Sequence, residues 1–130
     1  MIIFADTSAL VSLFNPLDPN HEKAKILAKR MQIKSYLISN YTFAETVTIL
    51  SQKVGKEKAT YSGELMKKRF KEIKIDPKID DLAWEIFKKQ KSKNVSFVDC
   101  TTFALFKIGV FDKAFTFDND FETNRIPVLE

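Results

Sequence analysis

Apolar positions along the chain follow two rhythms. Short apolar runs at residues 2–5, 36–39, 73–75 and 115–117 are too brief for helices and read as strands, the first of them covered on both faces. Between these runs, apolar residues recur every three or four positions. Ala9, Leu10, Val11, Leu13 and Phe14 make a first helix with Ser8 as its N-cap. A turn at residues 15–20, with two prolines and two asparagines, separates it from a second helix carrying Ala24, Leu27, Ala28 and Met31. Phe43, Val47, Leu50 and Val54 stripe a third helix, capped by Asn40 or Thr42 and ended by Gly55.

Residues 56–71 predict a fourth, charge-rich helix anchored by Leu65, Met66 and Phe70. After Asp76-Pro77, the spacing of Ile79, Leu82, Ala83, Ile86 and Phe87 is close to ideal for a fifth. Ser96 caps a sixth in which Val98, Ala104, Leu105 and Ile108 are apolar nearly all round, so it is expected at the centre. Val128 and Leu129 are expected to close the sheet. Strands that alternate with helices need crossover connections, and crossovers give parallel pairing. The expected fold is α/β, one domain over residues 1–130, with no linker, repeat or low-complexity tract.

Composition narrows this picture. At 130 residues, 45% of them apolar and twelve of those Phe, the chain can bury one sizeable core and is not a disordered segment. No run approaches the roughly eighteen apolar residues of a membrane span. Met1 leads straight into Ile-Ile-Phe-Ala without a basic segment, which reads as a buried strand rather than a signal peptide. A single cysteine, Cys100, makes no internal disulfide, so a reducing compartment, the cytoplasm, is expected. The formal net charge of +4 is only a weak pull towards anionic partners.

Context sorts the seventeen acids. Most lie among lysines and read as solvated charge. Asp6 and Asp118 each follow an apolar strand, and in open parallel sheets ligands gather outside the carboxyl ends of strands. Glu45 and Asp99 each sit in the first turn of a helix, where Thr42-x-x-Glu45 reads as a capping box and Ser96-x-x-Asp99 as its close variant. Taken singly, either carboxylate is explained by capping and the helix dipole. Helices in such a fold nevertheless begin at the same edge of the sheet, so all four acids can share one rim.

Crowded carboxylates raise one another's pKa unless a cation neutralises them. There is no Cys/His pair at zinc-ligand spacing, and an all-oxygen set suits Mg²⁺ or Mn²⁺. Such ions activate water and stabilise charge in phosphoryl transfer. Removing those four negative charges from a net charge of +4 leaves +8. An acidic pocket in a basic surface fits cleavage of a polyanion.

Several other residues attract notice for less. His21, the single histidine, is expected at the surface or in a capping role, and Cys100 as a small core residue. Trp84 lies off the main stripe of its helix, which leaves packing or an interface open. Lys67, Lys68 and Arg69, with Lys71 and Lys74, form one basic cluster, and Lys88, Lys89, Lys91 and Lys93 another. Either is explained as a solvated helix face; the functional reading is a cradle for an RNA backbone.

The segments Phe4-Ala5-Asp6-Thr7-Ser8, Thr42-Phe43-Ala44-Glu45, Ser96-Phe97-Val98-Asp99 and Thr116-Phe117-Asp118-Asn119-Asp120-Phe121 resemble, in order and spacing, the signature acids of PIN domains. Small stand-alone members of that family are similar to the toxins of VapBC-type toxin–antitoxin pairs. The resemblance implies a central parallel sheet flanked by helices, and endoribonuclease activity dependent on one or two Mg²⁺ or Mn²⁺ ions. It also implies homodimers and a small inhibitory antitoxin. By position Asp6, Glu45, Asp99 and Asp118 match the family's acids, and Ser8 and Thr116 its supporting polar residues. Asp120 either shares the metal or caps the following turn. A strand ending in Asp-Thr-Ser is similar also to haloacid-dehalogenase-type phosphatases, but their second Asp is here Ser8. A PIN-like fold serving as a non-catalytic RNA-binding or assembly module is the other alternative.

Overall fold

Alternation along the strands puts apolar side chains on both faces of one sheet, and helices cover both. The computed structural model describes residues 1–30 and 36–130, so the place expected for Met31 lies outside the described residues. The elements run β1 (Ile3–Ala5), α1 (Thr7–Phe14), α2 (His21–Arg30), β2 (Tyr36–Ser39), α3 (Asn40–Val54), α4 (Lys56–Arg69), β3 (Lys71–Ile73), α5 (Pro77–Lys89), α6 (Phe97–Lys107), β4 (Lys113–Phe115) and α7 (Asp120–Thr123). The four strands lie in the order β3-β2-β1-β4, each neighbouring pair parallel. Val128 adds a single parallel bridge to Ala114 at the β4 edge.

Phe4, Leu37 and Ala114 point into a core built with Ile79 and Ala83 of α5 and Phe103 of α6. Their neighbours in the strands, Ile3, Ala5, Tyr36, Ile38 and Phe115, point to the other face, against Leu10 of α1, Leu27 of α2 and Met66 of α4. This period-two alternation fixes the register of each strand, because a slip of one residue would exchange the two cores. Helix α6 is buried without a break from Asp99 to Leu105, as its all-round apolar pattern predicts. Among the described residues no helix is long and apolar enough to cross a membrane.

Several boundaries differ from the sequence expectation, each for a local reason. The N-cap of α1 is Asp6, whose carboxylate accepts from the Ser8 N–H, so Ser8 stands inside the helix. Helix α3 starts earlier than expected: Ser39 is its N-cap and accepts from the Thr42 N–H at 3.0 Å. That displaces both Asn40 and Thr42 as caps and moves Glu45 beyond the first turn, so the box between Thr42 and Glu45 does not form. The Ser96–Asp99 box does form, with both of its bonds present. Helix α4 ends at Arg69, and β3 occupies Lys71–Ile73 because its register with Leu37–Ser39 requires it. Strand β4 ends at Phe115, so Thr116 to Asp118 leave the sheet as a loop.

Candidate active site

Sheet order decides where the acids meet. From β1 the chain steps outwards through β2 and β3, then returns to place β4 on the other side of β1. The crevice between the carboxyl ends of β1 and β4 is therefore the topological switch point, the usual ligand site of an open parallel sheet. Asp6 leaves β1 there, its N–H donating to the Phe115 carbonyl at 2.9 Å. Asp118 follows three residues after β4 rather than directly, as the shorter strand requires.

Two hydroxyls lock Asp6. Ser8 Oγ and Thr116 Oγ1 each give their one proton to Asp6 Oδ2, at 2.8 and 2.9 Å. The backbone N–H of Phe117 donates to Ser8 Oγ, and that of Asp118 to Thr116 Oγ1, both at 3.0 Å. Two polarised chains thus end on the same carboxylate oxygen. The 3.1 Å approach of the two hydroxyls follows from that shared acceptor, since both protons are already committed.

The other acids repeat the pattern. Asp99 Oδ2 accepts from the Ser96 N–H at 3.0 Å, and Asp118 Oδ1 accepts from the Asp120 N–H at 2.9 Å. For Asp6, Asp99 and Asp118 alike, the second oxygen has no hydrogen-bond donor among the described residues. Each is anchored by one oxygen and open at the other. Glu45 is half-buried on α3 and lines a pocket of about 330 Å³ with Tyr41, Ile49 and Val98.

The electrostatics show that these groups share one field. Asp99 is nearly buried, and its carboxyl is pushed up to about 7, by burial first and then by the negative charge of Asp6. The Ser96 N–H opposes the rise, while Asp118 and Glu45 add to it. Asp6 is raised to about 6 by burial, against the Ser8 and Thr116 hydrogen bonds, with Asp118 pushing it further up. None of the groups acting on either residue is a cation. Asp120 is raised by burial, then by the neighbouring Asp118 carboxylate. It couples to Asp118 and does not figure among the charges acting on Asp6 or Asp99. The turn is capped by Asp118, with Asp120 supplying the N–H.

A hard divalent cation fits this donor set: four carboxylates, three with an open oxygen, held in a shared negative field. Among the described residues no three His, Cys, Asp or Glu side chains stand close enough to hold one ion directly. That spacing suits an ion that keeps several waters and takes one or two carboxylates, as Mg²⁺ does.

Other residues fall into place around the site. Lys23 of α2, which no sequence signal marked, lines a pocket of about 370 Å³ with Thr116, Phe117 and Asp118, its Nζ 5.8 Å from the Phe117 ring centroid. Thr7 and Thr46, each adjacent to an acid in sequence, bury hydroxyls with no partner among the described residues. The ring Nδ1 of His21 donates to the Ser12 carbonyl at 2.9 Å and ties the turn back onto α1. Cys100 is fully buried, and burial pushes its thiol up to about 11, as suits a core residue. Lys67, Lys68 and Arg69 lie in the last turn of α4. Lys67 lies over the Phe43 ring at 5.2 Å, Arg69 turns to a pocket against α1 and α2, and neither of these pockets contains one of the four acids.

Thr116→Val tests the lock on Asp6. It leaves the Asp118 N–H without its acceptor and removes a donor from a buried carboxylate, so a loss of about 1–3 kcal/mol in denaturant unfolding is expected.

A family model described as the PIN domain matches residues 3–126. The chain belongs to the PIN-domain family. It is similar to the 23S rRNA-specific endonuclease VapC20 of Mycobacterium tuberculosis, with 30% identity over 122 residues and 92% of each chain covered. The crystal structure of that Mycobacterium tuberculosis protein, described as a sarcin-ricin loop cleaving toxin, superposes on this PIN domain with a TM-score of 0.88. Identity is 27%, and 95% of each chain is covered. The structure of FitAcB from Neisseria gonorrhoeae aligns with a TM-score of 0.71 at 18% identity, over 99% of this chain and 97% of that one, a likeness of fold. The four-stranded parallel sheet between two helical layers is thus the PIN architecture expected from the sequence.

Proposed function

We propose that this PIN domain is a metal-dependent endoribonuclease that hydrolyses RNA phosphodiester bonds as the toxin of a toxin–antitoxin pair. The observation that carries the reading is the open oxygens of Asp6, Asp99 and Asp118 in a field that Glu45 shares and no cation offsets. Likeness to a 23S rRNA-specific endonuclease over nine-tenths of the chain supports RNA as the substrate.

In this reading Asp6, Glu45, Asp99 and Asp118 would hold one or two Mg²⁺ or Mn²⁺ ions, one or two carboxylates directly and the others through the ion's waters. Asp120, coupled to Asp118 alone, is an outlying ligand. Once bound, such an ion activates water and neutralises charge developing on the scissile phosphate. The protein's own part is orientation. Ser8 and Thr116 hold Asp6 Oδ2, which leaves Asp6 Oδ1 free to take an ion. The Ser96 box holds Asp99 in the same way, from the rigid start of a buried helix. Lys23, at the Asp118 rim, takes a phosphate of the bound strand, while Lys67 and Lys68 meet RNA further out and Arg69 turns away to the α1–α2 side.

Lys23→Ala is then expected to raise KM several-fold, leave kcat nearly unchanged and reduce the salt slope of RNA binding by about one. An unchanged slope would remove Lys23 from the RNA path.

The antitoxin is assigned to the apolar pocket of about 380 Å³ formed by Leu13, Phe14 and Leu65, whose rim carries Lys25, Lys29 and Arg69. These cations suit an acidic amphipathic segment. A homodimer is the assembly this reading carries, and the cytoplasm is its compartment, a reading that a free buried cysteine and an RNA substrate support. The deciding experiment treats chelator-stripped protein with labelled structured RNA, with and without Mn²⁺ or Mg²⁺. Metal-dependent internal cleavage is expected. RNA binding without cleavage under any metal would leave a non-catalytic RNA-binding module.

A further inference from the structure

Phe117 stands between Thr116, which locks Asp6, and Asp118, which keeps one oxygen open. Its ring is half-buried and is propped edge-on by Phe115, centroids 6.1 Å apart and planes at 70°. Its backbone is also fixed, because the Phe117 N–H donates to Ser8 Oγ at 3.0 Å. The ring lines the pocket of about 370 Å³ that opens beside Asp118, a size at which small planar ligands are held. Leu27 and Leu129 give that pocket apolar walls, and Asn119, Glu122 and Glu130 give it polar ones. Lys23 Nζ lies over the ring at 5.8 Å. Neither Lys23 nor Glu122 forms an ion pair among the described residues.

Chemistry selects among the occupants. Asp118, Glu122 and Glu130 outweigh the one lysine, so the pocket disfavours a phosphate inside it. A second cation would compete with Lys23 for the ring. A neutral planar group meets neither objection. Its face can stack on Phe117 while its N–H donors reach the carboxylates. In an RNA strand that group is an unstacked base, the form in which single-stranded RNA is read. Acceptor-rich walls also rank the bases. Guanine presents more N–H bonds along its Watson–Crick edge than any other base, and uracil presents the fewest. A carboxylate such as that of Glu122 accepts side by side from the guanine edge, while Lys23, at the mouth, reaches the same nucleotide's phosphate.

We propose that the Phe117 pocket beside Asp118 is a base-recognition site that receives a guanine of the RNA strand next to the scissile phosphate. The inference rests on RNA being the substrate, as in the preceding reading, and names the base that the same site selects.

Equilibrium binding in chelator and at low salt tests it without any cleavage. The probes are labelled uridine hexamers, unmodified or carrying a single G, A or C, followed by fluorescence anisotropy on the full chain. The G-bearing hexamer is expected to bind at least about tenfold tighter than the all-uridine one. Phe117→Leu keeps the backbone N–H that Ser8 accepts, and should weaken the G-bearing hexamer about tenfold. Glu122→Gln, at an exposed position that leaves the fold intact, should erase most of the preference for G without weakening the all-uridine hexamer. Equal affinity for all four hexamers, unmoved by either variant, would overturn the pocket and leave the RNA reading standing. The same equality with Phe117 and Asn119 amide shifts on titrating arginine amide would overturn it in favour of a cationic side chain of a protein partner. Binding of none of the hexamers would overturn the pocket and the RNA reading together.

Discussion

Replacing Asp99 with asparagine is expected to abolish RNA cleavage while making the metal-free protein harder to unfold. Both effects come from one charge. The amide oxygen of the substitute still accepts from the Ser96 N–H, so the capping box survives, but a charge leaves the field shared with Asp6, Asp118 and Glu45. Losing a ligand of the ion is expected to cost at least the roughly 10–100-fold that loss of a ligand's supporting partner costs. The fold responds in the opposite sense, because a carboxylate whose pKa stands at about 7 instead of 3.8 is held charged against its surroundings at neutral pH. Each tenfold change in proton affinity is worth about 1.4 kcal/mol, so a gain of a few kcal/mol is expected in chelator at about pH 7.5. Single-turnover cleavage and thermal melting read the two halves separately. Full metal-dependent cleavage by the variant would remove Asp99 from the site. Lost cleavage with lost stability would mean that the residue acts as a cap alone.

The second large effect is a reversed pH dependence. Asp6 and Asp99 both gain proton affinity on folding, to about 6 and about 7 from 3.8. Between those values the folded chain binds more protons than the unfolded one, so raising the pH through that window favours unfolding. The two groups add no penalty below about pH 4 and impose their full penalty above about pH 7. Metal-free protein should therefore melt several degrees higher at about pH 5 than at about pH 7.5. Saturating Mg²⁺ or Mn²⁺ should remove most of that difference, because the ion takes the place of the proton; at a hundred times its Kd it adds about 2.7 kcal/mol. Melting curves in chelator and in metal, at both pH values, decide the point. A fold more stable at the higher of these pH values in chelator would show that the acids are not held in a shared, cation-free field.

Much of this protein follows from its sequence alone. The helices were set by apolar residues at three- and four-residue spacing, and the parallel sheet by the alternation of strands with those helices. The capping box of Ser96 and Asp99 also needed no tertiary information, since all of its atoms lie within one turn. Local order also nominates Asp6, Glu45, Asp99 and Asp118 as candidate site residues, since their motifs recur at PIN-like spacing.

Tertiary structure decided what depends on distant partners. The register of β3 against β2 moved that strand two residues earlier than its apolar run suggested, because strand ends are set by neighbours across the ladder. Two oxygens compete for the start of α3, and Ser39, at the end of a buried strand, displaced Thr42; that freed Glu45 from any capping role. Lys23 reached the rim of the site from a helix whose sequence marks it only as solvated, whereas the more conspicuous cluster at Lys67, Lys68 and Arg69 turned elsewhere. The lock on Asp6 joins residues 109 and 110 positions apart, and such a hydrogen bond has no signature within either segment. Periodicity records which face of an element is buried, while the position of a carboxylate oxygen is fixed by groups that only the closed sheet brings alongside it.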